Sequence, residues 1–209
     1  MKILLIGPPA SGKGTIGSLL SERLKIPVIS VGKLLRSIDP RSPYYEGIKG
    51  SMDRGDLAPN NIVGKILEKR VQEKDCIRGF ILDGWARQLS DLDFFNPGFD
   101  LVLLLKISAE ISIRRIAGRR ECKVDGSIFN IYSNPPKKPG ICDLCGATLI
   151  QRDDDREEIV TKRLQNYEEK TVPSLDLFRK MGILTEVNGD KPPEDVFTDT
   201  VSALGIGND

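Results

Sequence analysis

The residues best placed to do chemistry stand near the amino end: Gly7-Pro8-Pro9-Ala10-Ser11-Gly12-Lys13-Gly14-Thr15, directly behind the apolar run Lys2 to Ile6. Gly7 and Gly12 can take backbone conformations closed to other residues. Successive amide N–H groups can therefore turn into one concavity, where the start of the next helix adds partial positive charge. Lys13 brings a full charge to the outer phosphates of a nucleotide held there. The spacing Gly7-x4-Gly12-Lys13 fits the Walker A pattern, with Gly14 where Ser or Thr usually follows the lysine and Thr15 one place later. A glycine-rich strand-to-helix turn without a ligand would share the glycines, but not the ordered agreement of strand, loop, lysine and helix. Nucleotide binding is the expectation.

The elements that must position this loop follow from hydrophobic periodicity. Short apolar runs at Lys2 to Ile6, Pro27 to Ile29, Phe80 to Leu82, Leu101 to Leu105 and Ile183 to Val187 alternate with helical patterns. That alternation predicts an α/β fold with a five-stranded parallel sheet covered by helices on both faces. Gly14 to Leu24, Asn61 to Val71 and Ala109 to Ala117 carry apolar residues three and four apart, as helices packed on a sheet do. Two segments break the rhythm. Residues 30–59 are polar, punctuated by Pro40, Pro43, Gly47, Gly50 and Gly55, and read as short helices in a small lobe; residues 121–153 hold three of the four cysteines, a Pro-Pro-Lys-Lys-Pro-Gly stretch and β-prone pieces at Ser127 to Ile131 and Thr148 to Gln151. The core is then 1–29, 60–120 and 154–209.

Composition bounds the partners. In 209 residues, 31 Lys and Arg nearly balance 30 Asp and Glu, so no global positive field points to nucleic acid or an anionic membrane. No apolar stretch approaches the ~20 residues of a membrane span, and nothing with signal-peptide architecture precedes the phosphate loop, which predicts a cytoplasmic, soluble protein. The chain has no histidine, so chemistry that needs proton abstraction near neutral pH is disfavoured, while phosphoryl transfer loses little.

Cys122-x2-Asp125 and Cys142-x2-Cys145 lie 16 residues apart, at the spacing of a closed four-ligand zinc site with one carboxylate among the donors. A lobe of about thirty residues buries too little apolar surface to hold itself, so a metal staple would serve structure, not catalysis. Incidental thiols in a metal-free lobe are the plain alternative. Cys76 has no partner at hand and reads as a packed residue.

Taken in order, Gly7 to Thr15, Ile29-Ser-Val-Gly-Lys-Leu-Leu-Arg36, Met52-Asp-Arg-Gly-Asp-Leu57, Gly79-Phe-Ile-Leu-Asp-Gly-Trp-Ala-Arg87, Gly118-Arg-Arg120, Asn134-Pro-Pro136, Arg152-Asp-Asp-Asp155 and Lys162-Arg163-Leu164 resemble an adenylate kinase of the long-lid bacterial type over nearly the whole chain. The resemblance implies Mg²⁺-dependent, reversible transfer of the ATP γ-phosphoryl group to AMP in adenine-nucleotide homeostasis, by a monomer with no nucleic-acid or membrane partner. It makes 30–59 the monophosphate-binding lobe and 121–153 the lid, with structural Zn²⁺ on Cys122, Asp125, Cys142 and Cys145. On the donor side it implies Gly7, Ala10, Ser11, Gly12, Lys13, Gly14, Thr15, Arg115, Arg119 and Lys191. On the acceptor side it implies Val31, Arg36, Asp56, Leu57, Ala58, Gly84, Arg87, Asp91, Arg152 and Arg163. Lys13, Asp83, Arg87, Arg119, Arg152 and Arg163 would carry the chemistry, Arg115 stacking on the donor adenine and Asp83 organising Mg²⁺ waters. The residues agree with this reading, because a loose phosphoryl-transfer transition state is stabilised by positioned cations more than by a base. Arg115 and Arg119, four apart, should share a helix face, with Arg156 and Arg163 two turns apart near the start of a later helix.

The chain departs from the family pattern at the acceptor. Val31 replaces a threonine, Lys33 an aspartate and Asp91 a glutamine, while Ala10 and Ala86 replace a glycine and a proline. An ionised carboxylate only accepts hydrogen bonds, so Asp91 suits guanine or cytosine better than adenine unless Gln88 takes over the contact. A kinase for GMP or CMP is therefore an alternative, as is a nucleotide-gated binding module built on the zinc lobe.

Overall fold

The computed structural model describes residues 1–206; 207–209, the end of the segment assigned to the core, lie outside the described residues. In chain order come β1 (Lys2–Ile6), α1 (Lys13–Leu24), β2 (Val28–Ser30), α2 (Val31–Arg36), α3 (Tyr45–Asp53), α4 (Asn60–Arg70), β3 (Phe80–Asp83), β4 (Leu101–Lys106) and α5 (Ala109–Gly118). Then follow β5 (Arg119–Cys122), β6 (Ile128–Asn130), β7 (Leu149–Ile150), α6 (Glu157–Asn166), α7 (Val172–Lys180), β8 (Leu184–Asn188) and α8 (Pro193–Ala203).

The central sheet has the order β2-β3-β1-β4-β8, and every pairing is parallel. The inner strands β1, β3 and β4 are near-continuous apolar runs because both faces are covered, while the edge strand β8, Leu-Thr-Glu-Val-Asn, is mixed. Ile3 and Leu5 point to one side, with Ile81, Leu103 and Leu105, against Ile16 and Leu20 of α1 and Val196 of α8. Leu4 and Ile6 point to the other, with Leu82, Val102 and Leu104, against Leu35, Ile48, Leu67 and Phe178. This is the alternation of period two that a pleated strand imposes. Among the described residues no helix is long and apolar enough to cross a membrane.

The five expected strands and three expected helices all form, with ends shifted by a residue or two. The lid differs from expectation, since it has three antiparallel strands in the order β6-β5-β7, not two β pieces. Its first strand, Arg-Arg-Glu-Cys, has no apolar alternation to betray it. A second finding is the long helix at the carboxyl end, which widens into a π-turn at Tyr167–Thr171 between α6 and α7. Pro173 stands just beyond, lacking an N–H and unable to tolerate the carbonyl four residues back.

The phosphate loop is the most constrained turn. A Cβ on Gly7 would lie 2.5 Å from the Leu105 carbonyl oxygen, so only glycine fits. Gly12 caps α1 at φ 96°, and Ala10 is held at φ 58° although it carries a side chain. From α5, the fully buried Ser112 donates its hydroxyl to the Pro9 carbonyl at 2.5 Å, which ties the loop to a helix behind it. A left-handed alanine costs about 1 kcal/mol relative to glycine. Ala10→Gly is therefore expected to raise the unfolding free energy by about 0.5–1 kcal/mol in urea titration, with the m-value unchanged; a loss of stability would mean that the loop does not hold Ala10 in strain.

Candidate functional site

Every group expected to touch phosphate lies at the carboxyl ends of the parallel strands or on the lid hinge. Gly7 follows β1, Val31 follows β2, Gly84 follows β3 and Gly189 follows β8. Crevices beyond the carboxyl ends of such strands are where open α/β sheets bind ligands. In the loop, the Lys13 ammonium donates to the carbonyls of Gly7 and Pro8, both at 2.8 Å, and to Ser11 Oγ at 3.1 Å. Asp83 ends β3 in register with Leu5 and Ser30, and its charge favours the protonated lysine. Burial works the other way and is the largest influence; with Arg87, Arg163 and Arg119 it brings Lys13 down to about 8. Arg115 of α5 reaches the turn after β8, donating to the Asp190 carbonyl at 3.4 Å. Lys191 on that turn points to α8 instead, paired with Asp199 at 2.6 Å.

Behind the loop, arginines converge, each with an acid. Arg119 is bidentate to Asp155, whose carboxylate is fully buried, with Nε at 2.8 Å. Arg152 donates to both oxygens of Glu121 at 2.5 and 3.2 Å, and Arg163 to the carbonyl and carboxylate of Asp154 at 2.9 and 3.1 Å. Burial pushes the Asp154 carboxyl up, but Arg163, Arg119, Arg152 and Arg36 together carry it below the usual range. Burial likewise opposes the Arg119 charge, and Asp155 more than offsets it. Glu121, Asp154 and Asp155 were not singled out from the sequence. The signal was present in Arg152-Asp-Asp-Asp155, where acids run beside an arginine that the resemblance marks.

The expectation that Arg115 and Arg119 share a helix face is corrected. The helix α5 ends at Gly118, where a Cβ would lie 2.5 Å from Tyr132, and Arg119 is already extended as the first residue of β5. The strand, not a helix face, aims Arg119 at Asp155. Arg156 likewise sits before the first turn of α6 with an exposed side chain, away from the cage.

The residues expected on the acceptor side lie around a cleft between 30–59 and the central sheet. Val31, Arg36, Asp56, Leu57, Ala58, Gly84, Arg87, Asp91 and Arg163 all line it, so nine of the ten acceptor-side expectations fall on one wall or another. Arg152 does not line it. Leu35, Met52, Val63 and Trp85 add an apolar end that the sequence reading missed. The Asp91 carboxylate is buried, which raises its affinity for a proton, and it accepts from the backbone N–H of Arg87 at 2.9 Å and of Gln88 at 3.3 Å. The lobe rests against α6: Asn166 donates to the Gly55 carbonyl at 3.0 Å, and Lys162 approaches Asp56 at 3.9 Å.

In the lid, the ligand atoms of Cys122, Asp125, Cys142 and Cys145 lie within 4.8 Å of one another, a set that could hold a metal ion. They stand on two turns of one design. Gly126 N–H donates to the Cys122 carbonyl at 2.9 Å and Gly146 N–H to the Cys142 carbonyl at 3.0 Å, both glycines at φ 73°. Asp125 thus occupies in the first turn the place of Cys145 in the second. Hydrogen bonds from Cys145 and Ser127 hold the Asp125 carboxyl well below the usual range, while Asp125 keeps Cys145 protonated; a bound cation would reverse the second effect.

Comparison with known proteins agrees with this geometry. The sequence model described as "Adenylate kinase" matches residues 5–183. The protein named "Adenylate kinase" from Caldanaerobacter subterraneus subsp. tengcongensis is 40% identical, over 98% of this chain and 96% of its own length. Those of the same name from Thermodesulfovibrio yellowstonii and Clostridioides difficile are 38% and 39% identical, over 98% and 99% of this chain and 99% and 100% of theirs.

The Lys13 shift has a measurable consequence. With a pKa of about 8 the free ammonium is mostly deprotonated at pH 8.5, whereas a bound triphosphate favours the charged form. Binding of a nucleoside triphosphate at pH 8.5 is expected to take up roughly 0.7 proton, read from calorimetric heats in two buffers of different ionisation enthalpy. The same depression should make the free protein more stable as pH rises from about 8 towards 10.5, because the unfolded chain holds that proton more tightly. Binding without proton uptake would mean that Lys13 is already charged in the free protein or stands outside the phosphate contact.

Proposed function

We propose that this chain, which belongs to the adenylate kinase family, transfers the γ-phosphoryl group of ATP to AMP to give two ADP, as a cytoplasmic monomer in adenine-nucleotide homeostasis. The observation that carries the reading is the joining of a phosphate loop to three arginines, Arg119, Arg152 and Arg163, each held by a carboxylate at the hinge of the lid. ATP phosphates lie in the loop, where their oxygens take the Lys13 donors that the Gly7 and Pro8 carbonyls now accept. The rest of the donor side is Ala10, Ser11, Gly12, Gly14 and Thr15, with Arg115 and the turn bearing Lys191 at the adenine. Arg36 and Arg87 hold the acceptor phosphate, since guanidinium forks match phosphate oxygens. That phosphate attacks already ionised, so no general base is needed, in keeping with a chain that has no histidine. Charge that spreads over the transferring group meets Lys13, Arg119, Arg152 and Arg163. Asp83 is the carboxylate that would hold the waters of Mg²⁺, which when bound would offset part of the phosphate charge. Segments 30–59 and 121–153 act as the acceptor lobe and the lid over the core, and their closure excludes water.

The apolar end of the acceptor cleft, with Leu57, Ala58 and Val31 along it, suits a purine base. AMP is the acceptor proposed. In a coupled assay ADP forms from ATP plus AMP, and Arg119→Ala lowers kcat at least a hundredfold or so. A variant within tenfold of the wild type would favour a nucleotide-gated binding module, and equal turnover of CMP or GMP would replace AMP as the substrate.

The lid donors fit Zn²⁺, for which three thiolates and a carboxylate complete a tetrahedron. Its own apolar core is little more than Phe129 and Leu149 between Cys122 and Cys142. Elemental analysis of protein purified without chelator is expected to give about one zinc per chain, retained in Asp125→Cys and weakened in Asp125→Ala. Absence of the metal would mean that the lid is held otherwise.

A further inference from the structure

The turn Gly84 to Gln88 carries Arg87 yet lies outside any strand or α-helix, so its backbone groups need partners elsewhere. Two of them belong to Arg87 and both find side chains. Its N–H donates to Asp91 Oδ2 at 2.9 Å, and its carbonyl accepts the Thr171 hydroxyl at 2.8 Å. Beside it, Ser174 donates its hydroxyl to the Thr171 carbonyl at 2.7 Å, with the Ala86 carbonyl farther off at 3.4 Å. Thr171 and Ser174 are 4% and 1% exposed, and the π-turn that ends at Thr171 is what brings these hydroxyls to the turn. The turn needs holding, because Ala86 stands at φ 51°, a conformation costly for a residue with a side chain. Asp91 and Gln88 are turned towards the turn as well. They form a reciprocal cap, the Gln88 side chain accepting the Asp91 N–H and the Asp91 carboxylate the Gln88 N–H.

We propose that Asp91 and Thr171 are positioning residues that grip the two ends of the Arg87 peptide unit, and that the acid at 91 serves this arginine and not the base of the acceptor. The proposal rests on the kinase reading above. It weakens the objection that a carboxylate in this place argues against adenine, since Asp91 Oδ2 accepts the backbone N–H groups of Arg87 and Gln88 while the Gln88 side chain accepts the Asp91 N–H. Arg87 then meets the acceptor phosphate from a fixed turn: its Nε donates to the Gly84 carbonyl at 3.0 Å, and a Cβ on Gly84 would collide with the guanidinium at 2.8 Å.

The test compares the full chain with Thr171→Val, Thr171→Ser, Asp91→Asn, Arg87→Ala and the double variant Thr171→Val/Arg87→Ala. Thr171→Val should raise KM for AMP roughly tenfold and leave KM for ATP within about twofold, and Thr171→Ser should restore it. If Thr171 acts through Arg87, the double variant should be no worse than Arg87→Ala alone. Asp91→Asn should keep the wild-type order among AMP, GMP, CMP and UMP. Amide exchange by NMR gives a readout independent of turnover: exchange at Arg87 should quicken roughly tenfold in an Asp91→Ala variant. Unaltered exchange at Arg87, a reordering of acceptors in Asp91→Asn, or additive losses in the double variant would overturn the proposal. A wild type that makes no ADP would overturn the kinase reading instead, and the exchange experiment would still decide the grip.

Discussion

The structure depends on a way of holding like charges together before any substrate arrives. Arg36, Arg87, Arg119, Arg152, Arg163 and Lys13 converge on one end of the sheet, near enough to act on the same buried groups, and two like charges at about 4 Å in a partly solvated site would repel by about 4 kcal/mol. A few such terms would exceed the 5–15 kcal/mol that keeps a domain folded. Asp154, Asp155, Glu121 and Asp83 prevent this by standing among the cations, three of them in direct hydrogen bonds. The acids also fix guanidinium geometry, so little side-chain entropy remains to be lost when phosphates bind. Lys13 obeys the same rule by turning its donors on its own loop. On the proposed reading, substrate binding would be an exchange of partners for Lys13, Arg119, Arg152 and Arg163.

Precision of this kind needs rigid attachment, and the sheet supplies it through the ends of its strands. The loops that leave β1 and β3 both hold an alanine at positive φ, Ala10 and Ala86. Each loop is tied by a buried hydroxyl from the helical layer behind, Ser112 donating to the Pro9 carbonyl and Thr171 to the Arg87 carbonyl. Donor and acceptor turns are therefore built alike: a strained peptide at the sheet's edge, over-determined by a hydroxyl from the helical layer.

Much of the fold could be read from the sequence because its signals are local. Runs such as Leu101 to Leu105 declare buried parallel strands, and the glycine spacing of the phosphate loop states its conformation. What escaped was whatever depends on partners far along the chain. The strand Arg119–Cys122 is charged and forms only because β6 and β7 flank it, so Arg119 was expected on a helix. Asp91 looked like a base reader because its type was compared with glutamine, whereas its hydrogen bonds point to the backbone four and three residues before it. Thr171 carried no signal at all, since its role arises from a π-turn whose only trace in sequence is Pro173.

The four-donor cluster in 121–153 is joined to the arginines by one short strand. The strand β5 begins with Arg119 and ends with Cys122, a span of about 10 Å at the rise of an extended chain. Between them Glu121 pairs in register with Ile128 and Ile150 and holds Arg152 through both carboxylate oxygens. The apolar contacts around Phe129 and Leu149 are too few to fix this strand alone. On the zinc reading proposed above, a clasp at Cys122, closed by the matching turn at Cys142 to Gly146, would anchor one end of a short rod whose other end presents Arg119 to Asp155. Loosening the clasp would let both arginines drift by the ångström or so that phosphoryl transfer does not tolerate, so lid stability and turnover are bound to one four-residue strand.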